Sequence, residues 1–153
     1  MNDSLKIKGV IEFRIRDKDG NIKDEWTVEN LITSAGKAQL ALLAGDASAT
    51  PFTYLELGIS STAVAVGQTA LQSAIVDSGL ERAAATVSRV TTNVANDTLQ
   101  LYKLWTATGS KTIEEIGIFN AASAGVMLGR ALTTSKILVS EDSFEATYKV
   151  IFA

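Results

Sequence analysis

Residues 5–29 read Leu5-Lys6-Ile7-Lys8-Gly9-Val10-Ile11-Glu12-Phe13-Arg14-Ile15-Arg16-Asp17-Lys18-Asp19-Gly20-Asn21-Ile22-Lys23-Asp24-Glu25-Trp26-Thr27-Val28-Glu29. Leu5, Ile7, Ile11, Phe13 and Ile15 fall on one face with Gly9 among them. Lys6, Lys8, Glu12, Arg14 and Arg16 fall on the other, and Val10 is the exception. Alternation with a period of two is the mark of a half-buried antiparallel strand. Asp17 to Asn21 is a turn cluster in which Gly20 can take a positive φ. Alternation then resumes, with Ile22, Asp24, Trp26 and Val28 set against Lys23, Glu25, Thr27 and Glu29. The stretch is a β-hairpin.

Downstream the period changes once. From Leu31 to Leu43, Ile32, Leu40 and Leu43 share a helical face, and Ala35, Ala38, Ala41 and Ala44 favour helix. This predicts one α-helix over about residues 33–44, with Thr33 or Ser34 as N-cap and Gly45 just past its end. Strands are expected over 52–59 and near 82–93, 98–107, 113–119, 126–133, 136–140 and 144–152. Residues 94–97 and 120–125 are turns, and 60–68 is a long connection. Residues 69–75 read equally as short helix, loop or strand entry. The fold class is therefore mainly β: an antiparallel β-sandwich with an N-terminal hairpin and one short helix. Its 153 residues make one domain, 1–153, with the hairpin at 5–29 and the helix and sandwich body at 30–153.

Composition narrows the chemistry. Histidine and cysteine are both absent. That excludes Ser-His-Asp and Cys-His catalysis, disulfides, thiolate zinc sites and iron–sulfur ligation. With a net charge of −3 and no dense basic run, phosphate neutralisation has no general platform, so nucleic acid is not an expected partner. No segment approaches the ~20 apolar residues of a membrane span. Met1-Asn2-Asp3-Ser4-Leu5-Lys6 has no basic stretch leading into an apolar one, so no secretory signal is read.

Local motifs give way to plainer readings. Asp17-Lys18-Asp19-Gly20-Asn21 is superficially like a calcium loop, but its glycine comes too early and hairpin-turn chemistry explains all five residues. Glu114-Glu115 and Glu141-Asp142 are adjacent carboxylates, and strand neighbours point to opposite faces, so neither doublet is a glycosidase pair by itself. Gly58-Ile59-Ser60-Ser61-Thr62 lacks the second glycine of a nucleophile elbow. Neither a Walker A sequence nor G-x-G-x-x-G is present. Trp26 and Trp105 can stack on a sugar, although tryptophan on an inward strand face is more often core. No catalytic, cofactor-binding or metal-binding residue is assigned, and no cofactor is expected. One polar interaction is: Glu115 lies in the apolar run Ile113–Phe119, and a buried carboxylate needs a partner, for which Arg82 and Arg130 are the candidates.

Taken in order, several stretches resemble small structural modules of tailed bacteriophage particles, of the tail-fibre, baseplate-associated or head-decoration type. They are Asn30-Leu31-Ile32-Thr33-Ser34-Ala35-Gly36, Leu57-Gly58-Ile59-Ser60, Thr69-Ala70-Leu71 and Arg82. Ile113-Glu114-Glu115-Ile116-Gly117-Ile118-Phe119-Asn120 and Gly125-Val126-Met127-Leu128-Gly129-Arg130 follow, then Lys136 and Tyr148-Lys149-Val150-Ile151-Phe152. The resemblance spans about four-fifths of the chain, and its weight lies in the order and spacing of the set. It implies a non-catalytic virion structural protein, a homo-oligomer with a trimer favoured, that contacts other phage particle proteins. It leaves the hairpin 5–29 unexplained. That hairpin is a candidate docking element through Lys6, Lys8, Arg14 and Arg16, while an ordinary hairpin at the sandwich edge gives the same pattern. A carbohydrate-binding β-sandwich module is the rival reading, with a glycan as ligand, and a small enzyme working by carboxylates alone is a third.

Overall fold

A computed structural model describes residues 4–153; the start of the N-terminal stretch in which no secretory signal is read lies outside them. Ten strands and one helix follow in the order β1 (Ile7–Arg16), β2 (Ile22–Glu29), β3 (Leu31–Ile32), α1 (Ser34–Gly45), β4 (Tyr54–Gly58), β5 (Ala83–Ala84), β6 (Thr86–Val90), β7 (Thr98–Thr106), β8 (Lys111–Phe119), β9 (Met127–Leu138) and β10 (Ser143–Phe152). They form two five-stranded sheets. The first has the order β2-β1-β10-β7-β6 and the second β3-β9-β8-β4-β5. The strand pairings are antiparallel, and the two sheets pack face to face as a β-sandwich.

The alternation of the opening stretch is realised in β1, whose Ile11, Phe13 and Ile15 enter the core. Leu5 departs from it: it precedes the strand and stays exposed. β1 is also not a peripheral strand. It lies between β2 and β10 and pairs with β10 from Ile7↔Phe152 to Arg16↔Ser143. Only β2 is an edge. One core joins the hairpin to the body, because Ile11, Phe13 and Ile15 cluster with Leu55, Leu57, Ile116, Leu128 and Tyr148.

The two strands expected over 126–133 and 136–140 are a single strand, β9. Thr133, Thr134 and Ser135 read as a break in apolar patterning, yet the strand runs on through them as an irregularity, and pairing with β8 resumes at Ile113↔Lys136. The expected strand at 82–93 instead divides at Ala85, where the chain leaves the second sheet and joins the first. The helix is capped by Thr33, whose hydroxyl accepts from Gly36 N–H at 2.9 Å. Gly45 is inside the helix rather than beyond it. Asp46 is the C-cap, its N–H donating to Leu42 C=O at 2.8 Å. Gly36 is required by packing: a Cβ there would lie 2.4 Å from the carbonyl oxygen of Leu128 in β9.

The second sheet is buried on both sides. Leu55, Leu57, Ile113, Ile116 and Ile118 face the main core. The register shifts between Ile113 and Glu115, where Glu114 alone stands against three residues of β9, and Ile113 and Ile116 both reach the main core despite their odd spacing. Glu56, Glu115, Gly117 and Phe119 face the other way, beneath the irregular strap of residues 59–82, within which Ile75 and Leu80 turn into the main core. Residues 69–75 belong to this strap, with one isolated bridge, Gly58↔Ala74.

Candidate functional site

Two ion pairs lie side by side under the strap. Arg130 Nε donates to Glu115 Oε2 at 2.6 Å, and both side chains are fully buried. The other Glu115 contacts go to the strap backbone: Ser73 N–H donates to Oε1 at 2.8 Å and Gln72 N–H to Oε2 at 3.1 Å. Arg130 Nη1 donates to Gln68 Oε1 at 3.1 Å, and the same oxygen accepts from Ala65 N–H at 3.0 Å. The carboxylate and the guanidinium thus each hold a different part of the strap. Both carboxylate oxygens of Glu115 have donors, which offsets desolvation of the carboxylate, while Arg130 Nη2 is buried without a hydrogen-bond partner.

Arg82 is the second candidate partner for Glu115, and it pairs elsewhere. It grips Glu56 with two parallel bonds, Nε to Oε1 and Nη2 to Oε2, both 3.0 Å. Its Nη1 reaches the carbonyls of Ala124 at 2.8 Å and Ala121 at 3.1 Å, and its guanidinium lies 3.7 Å from the centre of the Phe119 ring. Glu56 sits opposite Gly117, and Gly58 opposite Glu115, in the β4–β8 ladder. Gly117 leaves room for Leu71, which would meet a Cβ there at 2.9 Å, and Gly58 leaves room for the Glu115 carboxylate. Leu71, Phe119 and Met127 form a small apolar cluster between the two pairs. Glu56 was not singled out by the sequence reading. Its signal was a lone carboxylate between Leu55 and Leu57 in an otherwise apolar strand, the same signal that marked Glu115.

Lys8, Arg14 and Arg16 of the hairpin face solvent on the first sheet, each beside a carboxylate. Arg14 Nε donates to Glu25 at 2.6 Å, Lys8 Nζ lies 2.6 Å from Glu29, and Arg14 and Arg16 stand 3.7 and 3.6 Å from Glu145 Oε2. Lys6 is exposed just before β1, and its main chain pairs with that of Ala153. Glu145 also accepts from the Tyr102 hydroxyl at 2.7 Å. Desolvation, then this hydrogen bond, raises the Tyr102 pKa above that of a free phenol. A depression of about 110 Å³ bordered by Glu12, Arg14, Tyr102 and Glu145 marks this face.

The remaining motif residues are engaged in the fold. Asp17 accepts from the N–H groups of Asp19 and Asn21, each at 2.9 Å, with Gly20 at φ 86°. The Asn21 bond leads in lowering its pKa. Among the described residues, no group of three or more acidic side chains is placed to hold a metal ion. The carboxylate doublets diverge. Glu114 takes a hydrogen bond from Ser135 at the surface, away from Glu115, and buried Asp142 accepts from Lys23 Nζ at 2.7 Å while Glu141 is exposed. Ser60 donates to Thr62. Trp105 is buried and donates to the Glu81 carbonyl at 2.9 Å. Trp26 stacks on Phe13 at 5.0 Å between ring centres, donates to Thr133 at 2.6 Å and has Lys136 Nζ 4.6 Å from its ring. Among the described residues, no helix is long and apolar enough to cross a membrane.

No family model matches the chain, and no curated protein or solved structure matches it significantly.

Proposed function

We propose that this chain is a non-catalytic assembly module of a tailed-bacteriophage particle, a head-decoration, tail, baseplate or fibre-associated protein that acts as a homo-oligomer and in contact with other particle proteins. One observation carries the reading. The side chains that an enzyme would keep free to react, or a sugar binder free to stack, are committed to holding the sandwich together. Glu56 and Glu115 are locked to arginines, and Trp26 and Trp105 are packed against Phe13 and Phe144 with their N–H groups engaged. What the molecule offers outward is a stiff β-scaffold with a charged sheet face and open strand edges, features suited to contact with other protein surfaces. The resemblance in Asn30–Phe152 supplies the particle context.

β1 is part of the core, so only the solvent face of the hairpin, with Lys8, Arg14 and Arg16, is available for docking. The test is co-purification of the tagged protein with particle proteins, compared with an Arg14→Glu, Arg16→Glu variant of unchanged fold. Loss of attachment in the variant supports the docking face. A glycan array and a screen with glycoside, ester and phosphoester substrates test the rival readings. Specific glycan binding that depends on an aromatic side chain, or turnover abolished by changing one carboxylate, would replace the assembly reading.

A further inference from the structure

We infer that β6 is a self-association edge, along which a second copy of this chain pairs antiparallel with Ser88 opposite Ser88 of that copy. The inference rests on the assembly reading and gives it a two-fold contact, in place of the trimer that the resemblance favours. β6 hydrogen-bonds to β7 on one side only and ends the first sheet. Thr86, Val87, Ser88 and Arg89 are all exposed, although alternate residues point to opposite faces. Val87 is opposite fully buried Leu101 yet is itself 44% exposed, so the strand overhangs the second sheet, whose own edge β5 spans only Ala83–Ala84.

The two edges of the first sheet differ in charge. β2 carries Lys23, Asp24, Glu25 and Glu29, the kind of decoration that discourages strand addition. Residues 83–96 contain no carboxylate, and Arg89 is their one charge. The strand is also held ready. Ala85 N–H donates to Thr53 C=O at 2.9 Å at one end. At the other, the Asp97 carboxylate accepts from the N–H groups of Thr92, Asn93 and Val94, each at 2.8 Å. A preformed edge loses little conformational freedom on pairing.

The occupant follows from the sequence of the strand itself. Pairing about Ser88 places Thr86 opposite Val90 and Val87 opposite Arg89, each twice by symmetry. No like charges meet, serine faces serine, and the aliphatic stem of Arg89 covers Val87. The contact is self-complementary and closes on two copies, joining two first sheets into one.

The chain has no cysteine, so a single introduced thiol reports the register without interference. Under mild oxidation of the full chain, Ser88→Cys should cross-link to itself at least tenfold faster than Thr86→Cys, or than Thr27→Cys on the opposite edge. A mixture of Thr86→Cys and Val90→Cys chains should form the mixed dimer. Ser88→Glu, which sets like charges face to face, should lower the sedimentation-derived mass while leaving Trp fluorescence unchanged. A chain that is strictly monomeric at high micromolar concentration overturns the inference. So does an oligomer in which Ser88→Cys cross-links no faster than Thr27→Cys, or a strand of another particle protein found on β6. The last two outcomes leave the assembly reading intact.

Discussion

Arg130 Nε lies 2.6 Å from Glu115 Oε2, on the face of the second sheet that is turned away from the main core. Residues 59–74 of the strap cross that face on one buried apolar anchor, Leu71, before Ile75 and Leu80 turn into the main core. The ion pair and its hydrogen bonds to Gln68, Gln72 and Ser73 therefore do for the strap what side-chain packing does elsewhere.

Breaking this pair from one side should cost about 3–5 kcal/mol, because either substitution leaves a buried charge or its donors without partners. Glu115→Gln and Arg130→Met should show strong non-additivity in thermal unfolding. Arg82→Met should be non-additive with Glu56→Gln instead. Limited proteolysis should cut within residues 59–82 first. Additive losses below about 0.5 kcal/mol for Glu115 and Arg130 would contradict the clamp.

Two helix glycines should respond in opposite senses. Gly36→Ala gains up to about 1 kcal/mol of intrinsic helix propensity. Its new methyl meets the Leu128 backbone, however, and overpacking of that kind costs about 1–3 kcal/mol, so the net effect should be a lower melting temperature. Gly45→Ala meets nothing within 4 Å and should stabilise by some tenths to about 1 kcal/mol. Denaturant midpoints of the two variants, moving apart from wild type, check both.

Asn30 joins the sheets. Its side-chain amide donates to the buried Tyr148 hydroxyl and is accommodated by Gly9 on one sheet and Gly129 on the other, where a Cβ would strike it. Asn30→Ala should cost about 1–3 kcal/mol by leaving that hydroxyl unpaired. Burial pushes the Tyr148 pKa up, outweighing the opposing effect of Asn30. A raised folded pKa contributes stability that is complete below the unfolded value of about 10 and is lost as pH rises past it. Alkaline difference spectra should show one tyrosine that ionises only on unfolding.

The loop before β7 should resist acid. The N–H of Val94, with those of Thr92 and Asn93, holds the Asp97 carboxyl far below the ordinary range despite partial desolvation. A depressed folded pKa contributes stability that is complete above the unfolded value of about 3.9 and is lost as pH falls toward the folded one. Carboxyl-carbon NMR should find Asp97 still ionised at pH 3.5, and Asp97→Asn should remove its share of the acid dependence. A midpoint near 3.9 would show that the three N–H bonds do not persist in solution.

The sequence by itself determined the sandwich class, the opening hairpin and the helix with its cap at Thr33 or Ser34, because those follow from periods of two and 3.6 and from local hydrogen bonding. It also marked Glu115 as needing a cation, since a carboxylate between isoleucines has few other fates. Tertiary structure decided the rest. Arg82 and Arg130 are equivalent in a linear reading, and only the pairing across β5, β4, β8 and β9 sets Arg130 beside Glu115 and Arg82 over Glu56. The hairpin reads as detachable because its own pairing is local, whereas the β1–β10 ladder that fixes it in the core joins residues about 140 positions apart. Gly36 stands inside the helix and Gly117 inside β8. Their purpose lies in the chain segment that packs against each, and sequence spacing carries no record of that approach.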